Sequence, residues 1–493
     1  MSSLRTCFAV VAFASLFALL SASANAQPRP LADEPTTLAA VTASTLAHFP
    51  RILAAETSIV AKSSLLLAAE GAFDPRVDGN VGGRGGAYYD SHLLDTTIVQ
   101  PLLTSNARVF AGYRYGNGDF PAYDSGNLTR SGGEARAGFA VSLLRDRDID
   151  ARRAAVSGAR LDVQAEREQL TAERLRVLQQ AYVAYAQWLI AARLHASYEQ
   201  LLQIAVERGT ALETRVASGD AAEILLVENR QAELQRRGLV VDAQRQIDMA
   251  AELLALYLRD AAGNPLYPRY DPALELPPED TGFVGMDVSA LLPRVLAQHP
   301  DIAVARLAQE QAALDKRLAD NLAKPQVDLR VYAARDFGGG TLQLAGTDNV
   351  ADIAFSIPLR TREARGKAGA AQADIAALAH RIRLLGDQVE ADLRRARVNL
   401  DATRTMEEFA RQELDASRTL ATAERQRFDS GLSDFFLLNQ RERQVGEAEL
   451  KRWQAQLAHQ VALANFYATG MHFAGLGVAE LPDRPGSVGN ETP

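Results

Sequence analysis

Apolar residues recur at intervals of three and four positions along two long segments of the chain, from about Asp150 to Val216 and from about Arg362 to Phe428. This seven-residue rhythm is typical of helices that pack as coiled coils. At 1.5 Å per residue, each segment would be a helix ~100 Å long. Because such a helix cannot bury a core alone, it needs partner helices from its own chain or from other subunits. The apolar positions that carry the rhythm are Leu175, Leu178, Tyr182, Tyr185 and Leu189 in the first segment and Val389, Leu393, Ala396 and Leu400 in the second.

Proline placement leaves both segments uninterrupted. No Pro occurs between Pro121 and Pro265, nor between Pro358 and Pro482. Because Pro removes a backbone donor and clashes with the preceding turn, it breaks helix interiors. The two intervals without Pro are therefore the parts of the chain in which very long helices are predicted.

The two long segments end at matching Ser-Gly pairs, Ser218-Gly219 and Ser430-Gly431. Gly adopts the left-handed conformation that ends a helix at little cost. Helical patterns resume a few residues later, and Ser433 is a candidate N-cap of the second of these helices. A Ser-Gly pair can also mark a simple kink. Its recurrence at the same place in both segments favours a helical hairpin with its tip at Gly219 and another with its tip at Gly431.

Apolar and polar residues alternate with a period of two in several segments that precede the long helices. These segments have about the ~9–11 residues that a tilted membrane strand needs. A period of two is expected when one face of a sheet meets lipid and the other a wet lumen. Tyrosines that cluster here, Tyr113 and Tyr115 among them, fit either a membrane-interface girdle or ordinary strand propensity. The candidate strands are Arg76–Tyr89, Leu93–Leu103, Ala107–Tyr115, Ala135–Leu144, Val327–Arg335 and Val350–Leu359.

The chain presents one order of elements twice: short helix, strands, long helix, tight turn, long helix. Identity between the halves is low, so order and spacing carry the evidence, and so long a period indicates a duplicated half rather than a solenoid. The strand region of the first half is about 36 residues longer than that of the second. This excess lengthens the loops, adds a hairpin or folds back. The predicted organisation is a signal peptide at 1–26, a first repeat at 27–262, a Pro-rich linker at 263–298, a second repeat at 299–470 and a C-terminal tail at 471–493 that is loosely ordered after Gly475.

The first 26 residues have the pattern of a secretory signal, with Arg5 as the positive start, an apolar stretch and an Ala-Asn-Ala cleavage site that ends at Ala26. The only cysteine, Cys7, leaves with this segment. Disulfides and a Cys nucleophile are therefore not expected in the mature chain. Beyond the signal, no stretch approaches roughly 18 uncharged apolar residues, so no transmembrane helix is predicted.

Candidate catalytic chemistry is sparse. The seven histidines have neither zinc-ligand spacing nor a His-Glu-x-x-His motif, and the chain has no Gly-x-Ser-x-Gly elbow and no phosphate-binding loop motif. The formal net charge is -8, with both signs interspersed along the helices, which argues against nucleic acid as a partner. We therefore expect no catalytic residue, no bound metal and no cofactor, and the chain is predicted not to be an enzyme.

Three short motifs occur at characteristic places in the second half. They are His299-Pro300-Asp301 at the start of a helix, Ser356-Ile357-Pro358-Leu359 at the end of a strand, and Arg427-Phe428-x-Ser430-Gly431 before Leu437-Leu438. With the signal peptide, the two halves and the lack of catalytic motifs, the chain resembles the TolC-type outer membrane efflux family, the outer membrane factors, over roughly residues 40–470. The resemblance implies a mainly α fold with a β-barrel part, in which duplicated halves form a homotrimeric α-helical tube continuous with an outer-membrane β-barrel. Each protomer is expected to contribute four strands.

The resemblance also implies that the hairpin tips bind a periplasmic adaptor (membrane fusion) protein and that the second hairpin lines the periplasmic entrance. The chain departs from the family there, because the family's acidic entrance positions are Leu437 and Gln440 and a locking Arg is replaced by Ser433. Asp434 is either an acid of a ring formed by three copies or a first-turn acid that satisfies the helix dipole. The implied adaptor-binding residues are Arg215, Val216, Ser218, Gly219, Arg427, Phe428, Ser430, Gly431 and Leu432, and the implied entrance residues are Ser433, Asp434, Leu437 and Gln440.

The function expected from this resemblance is that of a passive exit duct in the cell outer membrane, with its helical part in the periplasm. Such a channel serves a tripartite efflux or type I secretion system, and an inner-membrane pump supplies the energy through the adaptor. Its other contacts would be with outer-membrane lipid. The alternative is a periplasmic coiled-coil adaptor or structural protein without a pore. The sequence does not specify the cargo, the particular pump or the residues of the gate.

Overall fold

The computed structural model describes residues 30–86, 88–340 and 344–478. The predicted signal peptide and residues 479–493 of the predicted tail lie outside these ranges. The α-helices are α1 (Leu38–His48), α2 (Pro50–Glu70), α3 (Ala151–Ala217), α4 (Ile224–Leu254), α5 (Thr281–Val284), α6 (Val288–Gln298), α7 (Pro300–Leu322), α8 (Arg362–Asp429) and α9 (Phe435–Thr469). The strands are β1 (Arg76–Arg84), β2 (Ser91–Pro101), β3 (Ala107–Gly118), β4 (Glu134–Ser142), β5 (Gln326–Asp336) and β6 (Thr347–Ser356).

The two long helices lie where the apolar rhythm predicts them. Helix α3 has 67 residues and α8 has 68, and neither contains a proline. Most of the rhythmic positions are buried, and Leu178 and Tyr182 in α3 and Leu393 in α8 are 0% exposed. Leu175 and Ala396 are half-buried. The seven-residue pattern thus marks the face of each helix that packs against neighbouring helices.

The described chain forms two compact units, and each takes segments from both halves of the sequence. The tip unit comprises the described residues up to Phe49, together with Val183–Pro277 and Glu413–Trp453. Its core combines large side chains, such as Trp188, with buried alanines, such as Ala205 and Ala243, that let helices approach closely. The sheet unit comprises Pro50–Tyr182, Pro278–Gln412 and the described residues from Gln454 onward.

Six strands form one sheet in the sheet unit, in the order β1-β2-β3-β4-β5-β6, and all neighbours are antiparallel. The sheet therefore has two strands more than the four per protomer that the family resemblance implies. Strands β3 and β4 lead into α3 as β5 and β6 lead into α8, so the first hairpin, β1–β2, is the part of the first half without a counterpart. The excess residues add a hairpin to the sheet.

The predicted Pro-rich linker contains a regular helix, α6, with Pro293 in its interior. A Pro inside a helix removes a helical hydrogen bond. Burial outweighs that loss, because Leu291 is 2% exposed and Val295 is 0% exposed. The start of the predicted C-terminal tail, ahead of Gly475, is packed as well. The His472 ring stacks on Phe283 with centroids 4.0 Å apart, and its Nε2 lies 2.8 Å from Asp280 Oδ2.

One helical stretch of the described residues, Leu38–Phe73, is long and apolar enough to cross a membrane by length and composition alone. This differs from the expectation of no such stretch. The sequence criterion required an uncharged run, whereas this stretch contains Glu56 and Lys62. Both charges have partners in the sheet unit, since Glu56 lies 2.8 Å from Arg174 and Lys62 lies 3.2 Å from Asp162.

Candidate functional site

The first hairpin tip is a Schellman motif at the end of α3. Gly219 has φ +79°. The backbone N–H of Gly219 donates to the carbonyl of Val216 at 3.0 Å, and that of Asp220 donates to the carbonyl of Arg215 at 2.8 Å. These two bonds satisfy carbonyl groups that the helix end leaves without a partner. The conformation with positive φ explains why Gly stands here.

The second tip, at the end of α8, has the same geometry. Gly431 has φ +75°. Its N–H donates to the carbonyl of Phe428 at 3.0 Å, and the N–H of Leu432 donates to the carbonyl of Arg427 at 2.8 Å. The Ser430 hydroxyl donates to the carbonyl of Gln426 at 2.8 Å. Both tips lie in the tip unit, and both chain reversals are produced by one backbone device.

The start of α9 corrects the predicted N-cap. Asp434, not Ser433, caps this helix, because its Oδ1 accepts the backbone N–H of Leu437 at 2.7 Å. The Ser433 hydroxyl instead donates to Glu424, which is 6% exposed and also lies 3.4 Å from Arg427. Asp434 directly precedes Phe435, the first residue of α9, and a short side chain at this position can reach the amide of the third helical residue. In this chain, therefore, Asp434 satisfies the helix end.

The other predicted entrance residues differ in exposure. Leu437 and Gln440 are half-buried, whereas Asp434 is exposed. Two large apolar side chains at the second tip point to solvent, since Leu432 and Phe436 are each 72% exposed. Phe436 was not among the predicted site residues. Exposed apolar side chains at a tip favour a partner surface there.

A buried charge cluster lies in the tip unit and was missed by sequence reasoning. Glu442 Oε2 is 2.6 Å from Arg208 Nη1 and 2.5 Å from Arg236 Nη2. The Arg208 Nε also donates to Asn229 Oδ1 at 2.8 Å, and the Arg208 guanidinium lies 5.0 Å from the ring centroid of Phe435. All three charged residues are at most 7% exposed.

The two arginines set the ionisation of Glu442. Burial raises the pKa of its carboxyl, but Arg208 and Arg236 outweigh burial and hold that pKa below its ordinary value. Burial lowers the pKa of the Arg208 guanidinium, and Glu442 opposes that change. The cluster therefore holds α3, α4 and α9 of the tip unit together through a paired charge. Its signal in the sequence was a charge at a core position of the rhythm: Arg208 falls between the buried Ala205 and Leu212.

The strand register assigns each side chain of the sheet to one of two faces, because directly paired residues share a face. One face is polar. Along one row of it, Asp95, Arg114, Glu134 and Asp336 are successive partners on β2, β3, β4 and β5. Asp95 lies 2.5 Å from Arg136 and 3.5 Å from Arg114, so β2 is tied to β3 and β4 by ion pairs. We call this the polar face.

The opposite face, the apolar face, is the more exposed one. Val81 is 80% exposed, Ile353 63% and Phe355 73%. A water-soluble sheet would bury such a face and expose the polar one. Apolar strand faces turned outward opposite a polar face are the arrangement of membrane β-structure. Tyr113 shares the apolar face, whereas Phe110 belongs to the polar face. The Arg330 guanidinium lies 4.6 Å from the centroid of the Phe110 ring.

Among the described residues, no group of three or more His, Cys, Asp or Glu side chains is arranged to hold a metal ion. Charged residues in this part of the chain form ion pairs, some within one helix, such as Lys367–Glu363, and some between elements, such as Arg208–Glu442. Their arrangement serves packing and solvation.

No family model and no curated protein sequence matches the chain. Solved structures do match. The open-state MtrE outer membrane channel of Neisseria gonorrhoeae superposes with a TM-score of 0.62 at 15% identity, over 89% of each chain. The CmeC outer membrane channel of Campylobacter jejuni gives 0.58 at 14% identity, over 89% of this chain and 86% of that one. The outer membrane protein VceC of Vibrio cholerae gives 0.57 at 15% identity, over 90% and 99%.

At these identities, the likeness shows the fold. The chain has the TolC-type fold of outer membrane channels: two long helical hairpins, each preceded by antiparallel strands, with a helical part and a β part in one chain. The predicted fold class is confirmed, and the structures it resembles are channels.

Proposed function

We propose that this protein is an outer-membrane channel, the passive exit duct of a tripartite efflux or type I secretion system. The observation that carries the proposal is the sheet, whose exposed face is apolar and whose sheltered face is charged. Lipid can cover the apolar face, and a water-filled lumen can solvate the polar face. A periplasmic adaptor without a pore has no use for such a sheet.

The open edges of the sheet call for more than one copy. Unpaired backbone N–H and C=O groups are not tolerated in the hydrocarbon region, so a membrane sheet must close on itself. A homotrimer, the assembly implied by the family resemblance, closes the wall while the helices project into the periplasm. The channel itself has no source of energy in this proposal, and an inner-membrane pump supplies it through an adaptor.

The tips are the proposed adaptor-facing surface. Arg215, Ser218 and Gly219 of the first tip, and Arg427, Ser430 and Gly431 of the second, are exposed. Val216 and Phe428 are half-buried beside them, and Leu432 supplies an exposed apolar contact. The second hairpin, with Ser433, Asp434, Leu437 and Gln440, is the proposed periplasmic entrance.

Planar bilayer recording of the purified protein tests the pore. We expect discrete conductance steps, and a larger or more frequent open state after Glu442→Gln loosens the tip unit. The matched control is Lys451→Gln, which removes an exposed ion pair, 2.7 Å from Glu413, and should leave the open state unchanged. Absence of any conductance in wild type and in both variants would reject the proposal.

A further inference from the structure

The β1–β2 hairpin lies at one edge of the six-stranded sheet. Strand β1 has nine residues, all exposed, and pairs only with β2. At the other edge, β6 has ten residues and pairs only with β5. Both outer edges therefore present backbone groups that no strand of the described residues covers. In lipid, such groups need a partner strand.

The hairpin has the same two faces as the rest of the sheet. On the apolar face, Val77 is paired with Ile98, which is paired with Ala111 of β3. Four residues further along β1, on the same face, Val81 is paired with Leu94. Val77 is 66% exposed and Ile98 is 51% exposed. A hairpin folded into the lumen or lying in water would not need an apolar face in register with that of β3–β6.

The polar face is also continuous across the hairpin. Asp78 of β1 is paired with Thr97, and Asn80 is paired with Asp95. Asp95 is held by arginines of β3 and β4, as described above, so β2 is anchored to the polar side of the wall. The rows that contain these two pairs therefore extend from β3 through β2 to β1 without a change of face.

The edges β1 and β6 are suited to each other. Successive strands alternate in direction, so β6 of one copy runs antiparallel to β1 of a second copy placed beside it. The strands differ in length by a single residue. The polar face of β6 carries only acids among its charges, Asp348 and Asp352, whereas that of β1 has Arg76 and Arg84 at its two ends and Asp78 between them. Within one copy, Arg76 lies 3.1 Å from Asp78 and Arg84 lies 2.9 Å from Asp124. Both ion pairs are exposed, and an arginine that faces an acid of the neighbouring strand adds to the stability of a strand pair.

We propose that β1 of one copy pairs with β6 of the next, so that the additional hairpin is part of the membrane wall and each copy contributes six strands. The inference rests on the proposed channel function. With three copies, the wall has eighteen strands in place of the twelve that four per copy would give. Because barrel diameter grows roughly linearly with strand number, the barrel is about 1.5-fold wider.

Cysteine cross-linking tests which strand meets β6. The sole natural cysteine is Cys7, in the predicted signal peptide, so introduced thiols are unique in the mature chain. Val350→Cys on β6 is combined in turn with Asp78→Cys and Asn80→Cys on β1. The matched control combines Val350→Cys with Arg114→Cys on β3, which lies in the row of Asn80 through Asp95. All four positions belong to the polar face, which water reaches, and the single-cysteine variants give the background.

We expect oxidation to give covalent dimers and trimers for a β1–β6 combination and none for the β3–β6 combination. Covalent trimers from β3–β6, or none from any combination in a protein that native mass spectrometry shows to be trimeric, would overturn the six-strand wall but leave the channel intact. A monomer without conductance would instead reject the channel function itself. Images of the wild-type trimer give an independent measure, since a barrel of twelve-strand width also contradicts the proposal.

Discussion

The left-handed glycine at the second tip gives a quantitative prediction. A Cβ built on Gly431 meets no atom within 4 Å, so Gly431→Ala introduces no clash, and its cost arises from the backbone alone. Gly431 has φ +75°, a conformation that costs a residue with a side chain ~1–2 kcal/mol. Since ~1.4 kcal/mol corresponds to a factor of ten, local opening of the tip should become ~5–30-fold more frequent.

The matched control is a glycine inside α8, the helix that ends just before Gly431. Gly366 is helical, and a Cβ built on it also meets nothing within 4 Å. Gly366→Ala should therefore stabilise the helix by ~0.5–1 kcal/mol, because Gly loses more backbone entropy on folding than Ala does. The same Gly→Ala change is thus expected to destabilise the structure at Gly431 and to stabilise it at Gly366, because the two positions differ in backbone conformation.

Hydrogen exchange of the Leu432 amide measures the effect directly. This amide donates to the carbonyl of Arg427 at 2.8 Å, and it exchanges when the tip opens. We expect faster exchange in Gly431→Ala, still faster exchange in Gly431→Val because β-branched residues tolerate positive φ least, and no acceleration in Gly366→Ala. Unchanged exchange at Leu432 in Gly431→Ala would refute the argument. If the tip also binds the adaptor, Gly431→Val should reduce export in cells while the trimer still assembles.

Two further sites in the tip unit give predictions of different size. Glu442→Gln leaves Arg208 and Arg236 buried without their counter-charge, so it should destabilise the folded protein by ~3–5 kcal/mol. The loss is measured as a lower melting temperature. An unchanged melting temperature would exclude a stabilising role for the cluster. Because the pKa of Glu442 is lowered on folding, the stability it contributes is present above its unfolded pKa of roughly 4.3 and is lost as the pH falls through the lower folded value. The melting temperature of the wild type should therefore fall more in strong acid than that of Glu442→Gln. An equal fall in both proteins as the pH is lowered would contradict this. Asp434→Ala should cost ~1 kcal/mol by removing the cap of α9, whereas Asp434→Asn should cost little; equal losses would show that charge, not capping, matters.

Much of the architecture follows from local patterns. Proline-free stretches with a seven-residue rhythm predict α3 and α8, since helix length depends on neighbours within the same segment. The tips at Gly219 and Gly431 follow from a glycine at the end of each rhythm. The alternation of period two predicts the strands, and all six occur, although their ends differ by a few residues.

The errors arise where distant segments decide. Pro293 lies inside α6 because buried neighbours outweigh its local cost. Asp434 caps α9 because the Ser433 hydroxyl is already hydrogen-bonded to Glu424 of α8. The reversal of the chain at the second tip brings these two residues together. Glu442 sits on a helix that looks solvated in sequence, and only the approach of Arg208 and Arg236 makes it a buried partner.

The sequence by itself determined the elements of this protein, their order and the two turns, because each depends on backbone preferences and on residues within a few positions. Tertiary structure decided how many strands join one sheet, which face of that sheet is sheltered and which charges are buried. Those outcomes depend on pairing between residues far apart in the chain, such as Val141 of β4 with Leu329 of β5. Hydrogen bonds between strands carry no local signature, so the pairing that defines the wall is visible only in the folded chain.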